Sequence, residues 1–165
     1  MKRLVFLSLV MLFLVPGNLA AQTHKEEKAA RKAALEEQVC NLVESGTFVV
    51  SFDRANPARG MSRTLSPDYE MKFDNKRVST YLPYFGRSYT APMDPTKLAI
   101  ELIDQEVDVK TEKDTKKGYS LTFSAKTQTN ENITFYLKIT YSGMATLSIN
   151  SSTREPISFL GNLNM

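Results

Sequence analysis

The segment Tyr81-Leu82-Pro83-Tyr84-Phe85-Gly86-Arg87-Ser88-Tyr89 places four aromatic rings and one arginine within nine residues, interrupted by a proline and a glycine. Proline removes a ladder donor and glycine permits a bulge or a close backbone approach, so the segment is no plain central strand. Its rings belong near a rim. Two chemistries fit. In one, Tyr81, Tyr84, Phe85 and Tyr89 form a stacking surface for a planar or sugar-like ligand, while Arg87 pairs with a carboxylate or phosphate. In the other, Pro83 and Gly86 shape a bulged corner, the rings fill the core, and Arg87 bridges to an acid or to loop carbonyls.

Other residue types offer less. Asp104, Glu106 and Asp108 alternate with Gln105, Val107 and Val109, which on a strand would line three carboxylates along one face about 7 Å apart. That spacing is wide for a single-cation cage, whose oxygens must converge from several directions. A solvated face is the expectation, with a metal site at these three residues as the alternative. The single histidine, His24, sits near the start of a helical pattern, which leaves Ser-His-Asp, Cys-His and histidine-zinc chemistry without material. Paired carboxylates for hydrolysis remain open, since 18 acidic residues are available and only two need face each other. The one cysteine, Cys40, has no partner for an internal disulfide. With Val39, Leu42 and Val43 beside it, an inert thiol on an inward helix face is expected. The run from residue 110 to 117 interleaves four lysines with Glu112 and Asp114 and reads as a solvated hairpin loop. Asn132-Ile133-Thr134 and Asn150-Ser151-Ser152 fit a glycosylation sequon, which carries little meaning in a bacterium. No pattern calls for a cofactor.

The elements that must position these residues follow from periodicity. Thr23-His24-Lys25-Glu26 has the form of a capping box, and helix is predicted from there to Ser45, with Gly46 as its stop. The first half of that helix is polar nearly all round. Only Leu35, Val39, Leu42 and Val43, with Ala34, make a stripe that can dock. From Thr47 the period falls to 2. Phe48, Val50 and Phe52 alternate with other residues, then Asn56-Pro57 and Gly60 break the run. Met71 with Phe73, and Val78, Thr80 and Leu82, read as two strands across an Asp74-Asn75 turn. Leu98, Ile100 and Leu102 open a further strand that continues toward Val107 and Val109. Tyr119 to Ala125, Ile133 to Tyr141, Ala145 to Ile149, and Ile157 with Phe159 complete the series.

The alternate positions are polar, as in an antiparallel sheet packed on one face, and the short connections favour hairpins. The predicted fold is therefore α+β and predominantly antiparallel β. One N-terminal helix, residues 22–46, precedes a meander of about eight strands over residues 47–165 that closes as a barrel or a sandwich.

Met1-Lys2-Arg3 followed by a twelve-residue run at 4–15, apolar apart from Ser8, reads as the start of a signal peptide. The run is too short to span a bilayer. Pro16-Gly17-Asn18 then breaks the helix, and Ala20-Ala21 offers a cleavage site, giving a signal over residues 1–21. No cysteine stands directly after the apolar run, so the expected mature chain has neither membrane segment nor lipid anchor. Lys2 and Arg3 would leave with the signal, so the 21 basic and 18 acidic residues of the full chain reduce to a net charge of about +1. A nucleic-acid partner calls for a basic stripe and a motif to carry it, and neither is present.

The segment at residues 81–89, with Gly143-Met144-Ala145-Thr146-Leu147 and Arg154-Glu155-Pro156-Ile157-Ser158-Phe159-Leu160-Gly161 downstream, resembles a family of uncharacterised exported proteins from Bacteroides and its relatives, known as domain of unknown function 4251. The resemblance spans nearly the whole mature chain. It implies a compact β-rich fold in a Gram-negative envelope, hence the periplasm or the cell exterior, and brings no activity, ligand or catalytic residue with it. Three functions follow as expectations. The first is a non-catalytic binding or interaction module that uses the aromatic and arginine segment toward an envelope component or small ligand. The second is a small carboxylate-dependent hydrolase. The third is a structural envelope protein with no small-molecule ligand.

Overall fold

A computed structural model describes residues 19–89, 98–127 and 131–165. The expected signal segment up to residue 18, and most of the turn before Asn132, lie outside the described residues. The chain divides into two compact units between Ala34 and Leu35. Helix α1 runs Leu19–Ser45, four residues earlier than the capping box predicts. Ala20, Ala21 and Gln22 are good helix formers and let the helix continue upstream of Thr23. Within the first unit residues 26–34 are all exposed. No helix among the described residues is long and apolar enough to cross a membrane.

In the second unit the last turns of α1 bury Val39 and Val43 and half-bury Leu35, Cys40 and Leu42; of the stripe that the sequence predicts, only Ala34 is exposed. The helix stops at Gly46, whose φ of 73° lies in the left-handed region. Its N–H donates to the Val43 carbonyl at 3.2 Å, closing the helix as a C′ glycine does.

Ten strands follow: β1 (Thr47–Pro57), β2 (Arg63–Thr64), β3 (Glu70–Asp74), β4 (Arg77–Leu82), β5 (Ile100–Glu106), β6 (Lys110–Asp114), β7 (Gly118–Lys126), β8 (Asn132–Ile139), β9 (Met144–Ser151) and β10 (Ile157–Leu163). All pair antiparallel in one sheet of order β5-β4-β3-β1-β10-β9-β8-β7-β6, with the short β2 added on β1. Two meanders are thus joined at the middle by the first long strand and the last, paired from Val50 opposite Leu163 to Pro57 opposite Ile157 with a one-residue register shift between Phe52 and Arg54.

The sheet must curl. β5 and β6 are its two outermost strands, yet only Val107, Asp108 and Val109 separate them in sequence. Four Cα steps reach at most about 15 Å, whereas eight strand spacings in a flat sheet would put these edges about 38 Å apart. The result is a half-barrel whose two edges converge at the end nearest the close of α1. The Val107 N–H donates to the Lys76 carbonyl at 2.8 Å, and Val107 itself is buried. This single curled sheet settles the barrel-or-sandwich alternative in favour of the barrel-like form.

The concave face carries the core. Phe48 stacks on its register partner Phe73 at 4.5 Å, Phe123 stacks on its partner Phe135 at 4.8 Å, and Phe73 meets Phe123 edge-on across the interior at 5.8 Å. Each ring so buried contributes about 1.5–3 kcal/mol. Two departures from the predicted strands have physical causes. Residues 110–114 form strand β6 rather than loop: all five side chains are exposed, so no apolar alternation announces a strand held by backbone pairing to β7. In β5 the register slips where Ser79 lies opposite, and Asp104 adopts a φ of 45° as an extra residue in a bulge, a conformation Asp tolerates better than most.

Candidate functional site

The nine-residue aromatic segment begins as the end of β4 and then leaves the sheet. Tyr81 projects from β4, is 56% exposed, and lies parallel to Tyr69 with ring centres 6.4 Å apart. It borders a shallow groove with Glu70 and Glu101 on the outer face of the β3–β5 meander. Tyr84 turns the other way. Its hydroxyl donates to the Arg87 carbonyl at 3.0 Å and the Glu155 carbonyl at 2.9 Å, and the Arg154 guanidinium lies over its ring at 5.1 Å. Burial pushes the Tyr84 phenol above its ordinary range, opposed by the Arg154 charge, so the hydroxyl stays a donor. Tyr89 is 66% exposed, with its N–H bonded to the Thr153 carbonyl at 2.8 Å.

Phe85 and Arg87 face a different opening. They meet Arg59 and Arg63, which arrive from the chain after β1, around a cleft of about 400 Å³ that Glu155 also lines. The Arg63 guanidinium sits over the Phe85 ring at 4.8 Å. Glu155 is buried, with one carboxylate oxygen 3.5 Å from Arg59 Nε and the other accepting a long hydrogen bond of 3.4 Å from the Arg87 N–H. The Arg87 backbone is fixed on both sides, since its carbonyl also accepts from the Glu155 N–H at 3.0 Å, while its side chain remains exposed. Gly86 is required here by packing: a Cβ would collide with the Tyr84 hydroxyl and stand 2.7 Å from its Cζ. Of the five residues singled out by sequence, Phe85 and Arg87 thus share a cleft, Tyr84 braces it from behind, and Tyr81 and Tyr89 point elsewhere.

The bracing is a buried ionic network that composition alone does not reveal. Arg154 Nη2 lies 2.8 Å from a Glu131 oxygen, with side-chain exposures of 7% and 5%. Arg154 Nη1 donates to the Leu98 carbonyl at 2.5 Å. The other Glu131 oxygen accepts from Thr153 Oγ1 at 2.7 Å and from Ser151 Oγ. Among the described residues no buried side-chain polar atom lacks a partner, the condition under which a buried pair is tolerated.

The three carboxylates considered for a metal are all exposed and alternate with the more buried Gln105, Val107 and Val109. The bulge gives Asp104 to Arg77 at 2.6 Å, Glu106 ends β5, and Asp108 lies beyond it in the connection to β6. Among the described residues no group of three or more His, Cys, Asp or Glu side chains could hold a metal ion. His24 lies on the exposed first unit, 4.0 Å from Glu27.

The family model described as Domain of unknown function (DUF4251) matches residues 30–163. The chain belongs to this family. Its fold is similar to the crystal structure of a DUF4251 family protein from Bacteroides eggerthii DSM 20697, with a TM-score of 0.57 and 16% identity over 81% of this chain and 89% of that one. No curated protein matches. In this DUF4251 chain the first and last of the three motifs noted above meet in space: Tyr84 and Arg87 bond to Glu155, and Ser88 bridges to Arg154 as an isolated antiparallel pair. The cleft is built where they meet.

Proposed function

We propose that this chain is an exported, non-catalytic binding module of a Gram-negative envelope, and that its binding surface is the cleft between Phe85, Arg87, Arg59 and Arg63. The observation that carries this reading is that the Arg87 backbone is locked while its guanidinium is exposed at the cleft beside two further arginines and an aromatic ring. A rigid frame with free recognition groups reduces the ordering cost of binding. The volume falls in the range of small-molecule sites. Export is supported by the basic start and short apolar run of residues 1–15. The hydrolase alternative draws less support, because the two carboxylates buried among the described residues, Glu131 and Glu155, are both held by arginines.

The test is chemical-shift mapping on the isotope-labelled chain with a panel of monosaccharides, amino acids, organic acids and phosphates. Shifts should concentrate at Gly60, Phe85, Gly86, Arg87 and Glu155 for at least one class of probe. Arg87→Ala should weaken that binding while moving the melting temperature by no more than a degree or two, since an exposed side chain is being trimmed. A panel that leaves these amides unmoved defeats the reading.

A further inference from the structure

Resting on that reading, we infer that the cleft takes a small organic dianion, a ligand with a doubly charged oxyanion head such as a phosphomonoester or a dicarboxylate. The charge count at the opening points to it. Among the described residues three guanidinium groups, Arg59, Arg63 and Arg87, surround the cleft, and one carboxylate, Glu155, stands among them. Glu155 is engaged by Arg59 at 3.5 Å, which leaves about two positive charges from Arg63 and Arg87 uncompensated at the opening. A chain whose expected mature net charge is only about +1 would not gather such an excess at one point by average composition. A phosphomonoester carries about −1.5 to −2 at neutral pH and would balance it.

Geometry agrees with charge. The Arg63 guanidinium carbon lies 4.8 Å from the centre of the Phe85 ring, a cation–π contact that anchors the group beside the cleft while its N–H donors can still make two-pronged bonds to an oxyanion. Arg87 approaches from a backbone pinned by Glu155 and Tyr84. Phe85 and Met61 supply apolar lining, so the ligand has an organic body behind its charged head. At about 400 Å³ the cleft is much larger than a lone ion needs.

The experiment is titration calorimetry with the full mature chain in low salt, using methyl phosphate and malonate as the two dianion sources, acetate as the monoanion and methyl α-glucoside as the neutral probe. Methyl phosphate or malonate should bind at least tenfold more tightly than acetate. That affinity should fall at least tenfold in Arg63→Ala and in Arg87→Ala, and partly return in Arg87→Lys, which restores charge without the planar fork. Raising the salt should weaken binding, because exposed charges are screened. Which of the two dianions binds better tells phosphate from dicarboxylate. If acetate equals both dianions, or the arginine variants bind them unchanged, the inference is overturned. If only the glucoside binds and shifts Phe85 and Gly86, the dianion is wrong while the binding module stands. If no probe moves the cleft amides, both fall.

Discussion

Arg154 and Glu131 are buried together, and each has further partners: the Leu98 carbonyl and the Tyr84 ring for the arginine, Ser151 and Thr153 for the carboxylate. The pair thereby ties the turn after β9 to the segment behind the cleft. Removing one member leaves the other as a buried charge without compensation, so Arg154→Ala should cost about 3–5 kcal/mol. Replacing both with apolar residues of similar size, Arg154→Met with Glu131→Leu, should recover most of that loss. Urea unfolding of the parent chain and the two variants measures the difference, and a loss under about 1 kcal/mol for Arg154→Ala would mean that water reaches the pair. At this scale the sequence was informative about residue type and silent about direction. Four aromatics and an arginine in nine residues marked segment 81–89, but nothing in the local pattern says that Tyr84 turns inward while Phe85 turns to the cleft. Arg59 and Arg63 were illegible for a different reason. They lie more than twenty residues from Phe85 in the chain, and only the pairing of β2 on β1 carries them there.

At the scale of elements, the last turn of α1 is latched to the β6–β7 hairpin through Glu44. Its carboxylate accepts from Lys113 Nζ at 2.7 Å and from the Tyr119 hydroxyl at 2.6 Å. The hydrogen bond from Lys113, then that from Tyr119, holds the Glu44 carboxyl below its ordinary value of 4.5. The Tyr119 phenol is pushed up, first by burial and then by hydrogen bonding with Cys40 and Glu44. Because the folded state lowers the Glu44 pKa, its contribution is present above the ordinary value and is lost as pH falls through the lowered one. Glu44→Gln should therefore melt slightly below the parent chain at pH 7, with the gap closing below pH 4.5; a gap that persists at pH 3 would show that the latch does not depend on the charge. Glu44 is half exposed, so solvent screens the pair and the effect is modest. Strands with an apolar alternation were legible for the reason that one face is buried: β1, β7, β8 and β9 all read directly. β6 was not, because an edge strand with all side chains in water has no alternation to read. The Asp104 bulge was not, because a single extra residue leaves composition unchanged while moving every later side chain to the other face.

Across the whole molecule, closure is a matter of strand order, which periodicity does not encode. Alternation implies a wet face and a dry face, and a long meander must hide the dry one, but whether β10 pairs with β1 depends on a contact more than one hundred residues apart in sequence. The three-residue link at 107–109 then forces the free edges together. This order ranks the strands by protection. β10 is the fifth of nine along the path, flanked by β1 and β9, and Phe159 at its centre is fully buried. β6 is an edge with every side chain exposed, and β5 is an edge kinked by the Asp104 bulge, a device that discourages pairing with another chain. Hydrogen exchange read by mass spectrometry should find the amides of β1, β9 and β10 opening only with global unfolding, while β5 and β6 open at several kcal/mol lower free energy. Equal protection of β6 and β10 would mean that a second chain covers the β6 edge. Slow exchange confined to β7 and β8, with β10 opening early, would mean that the pairing of the first and last strands closes the fold without being its most stable part.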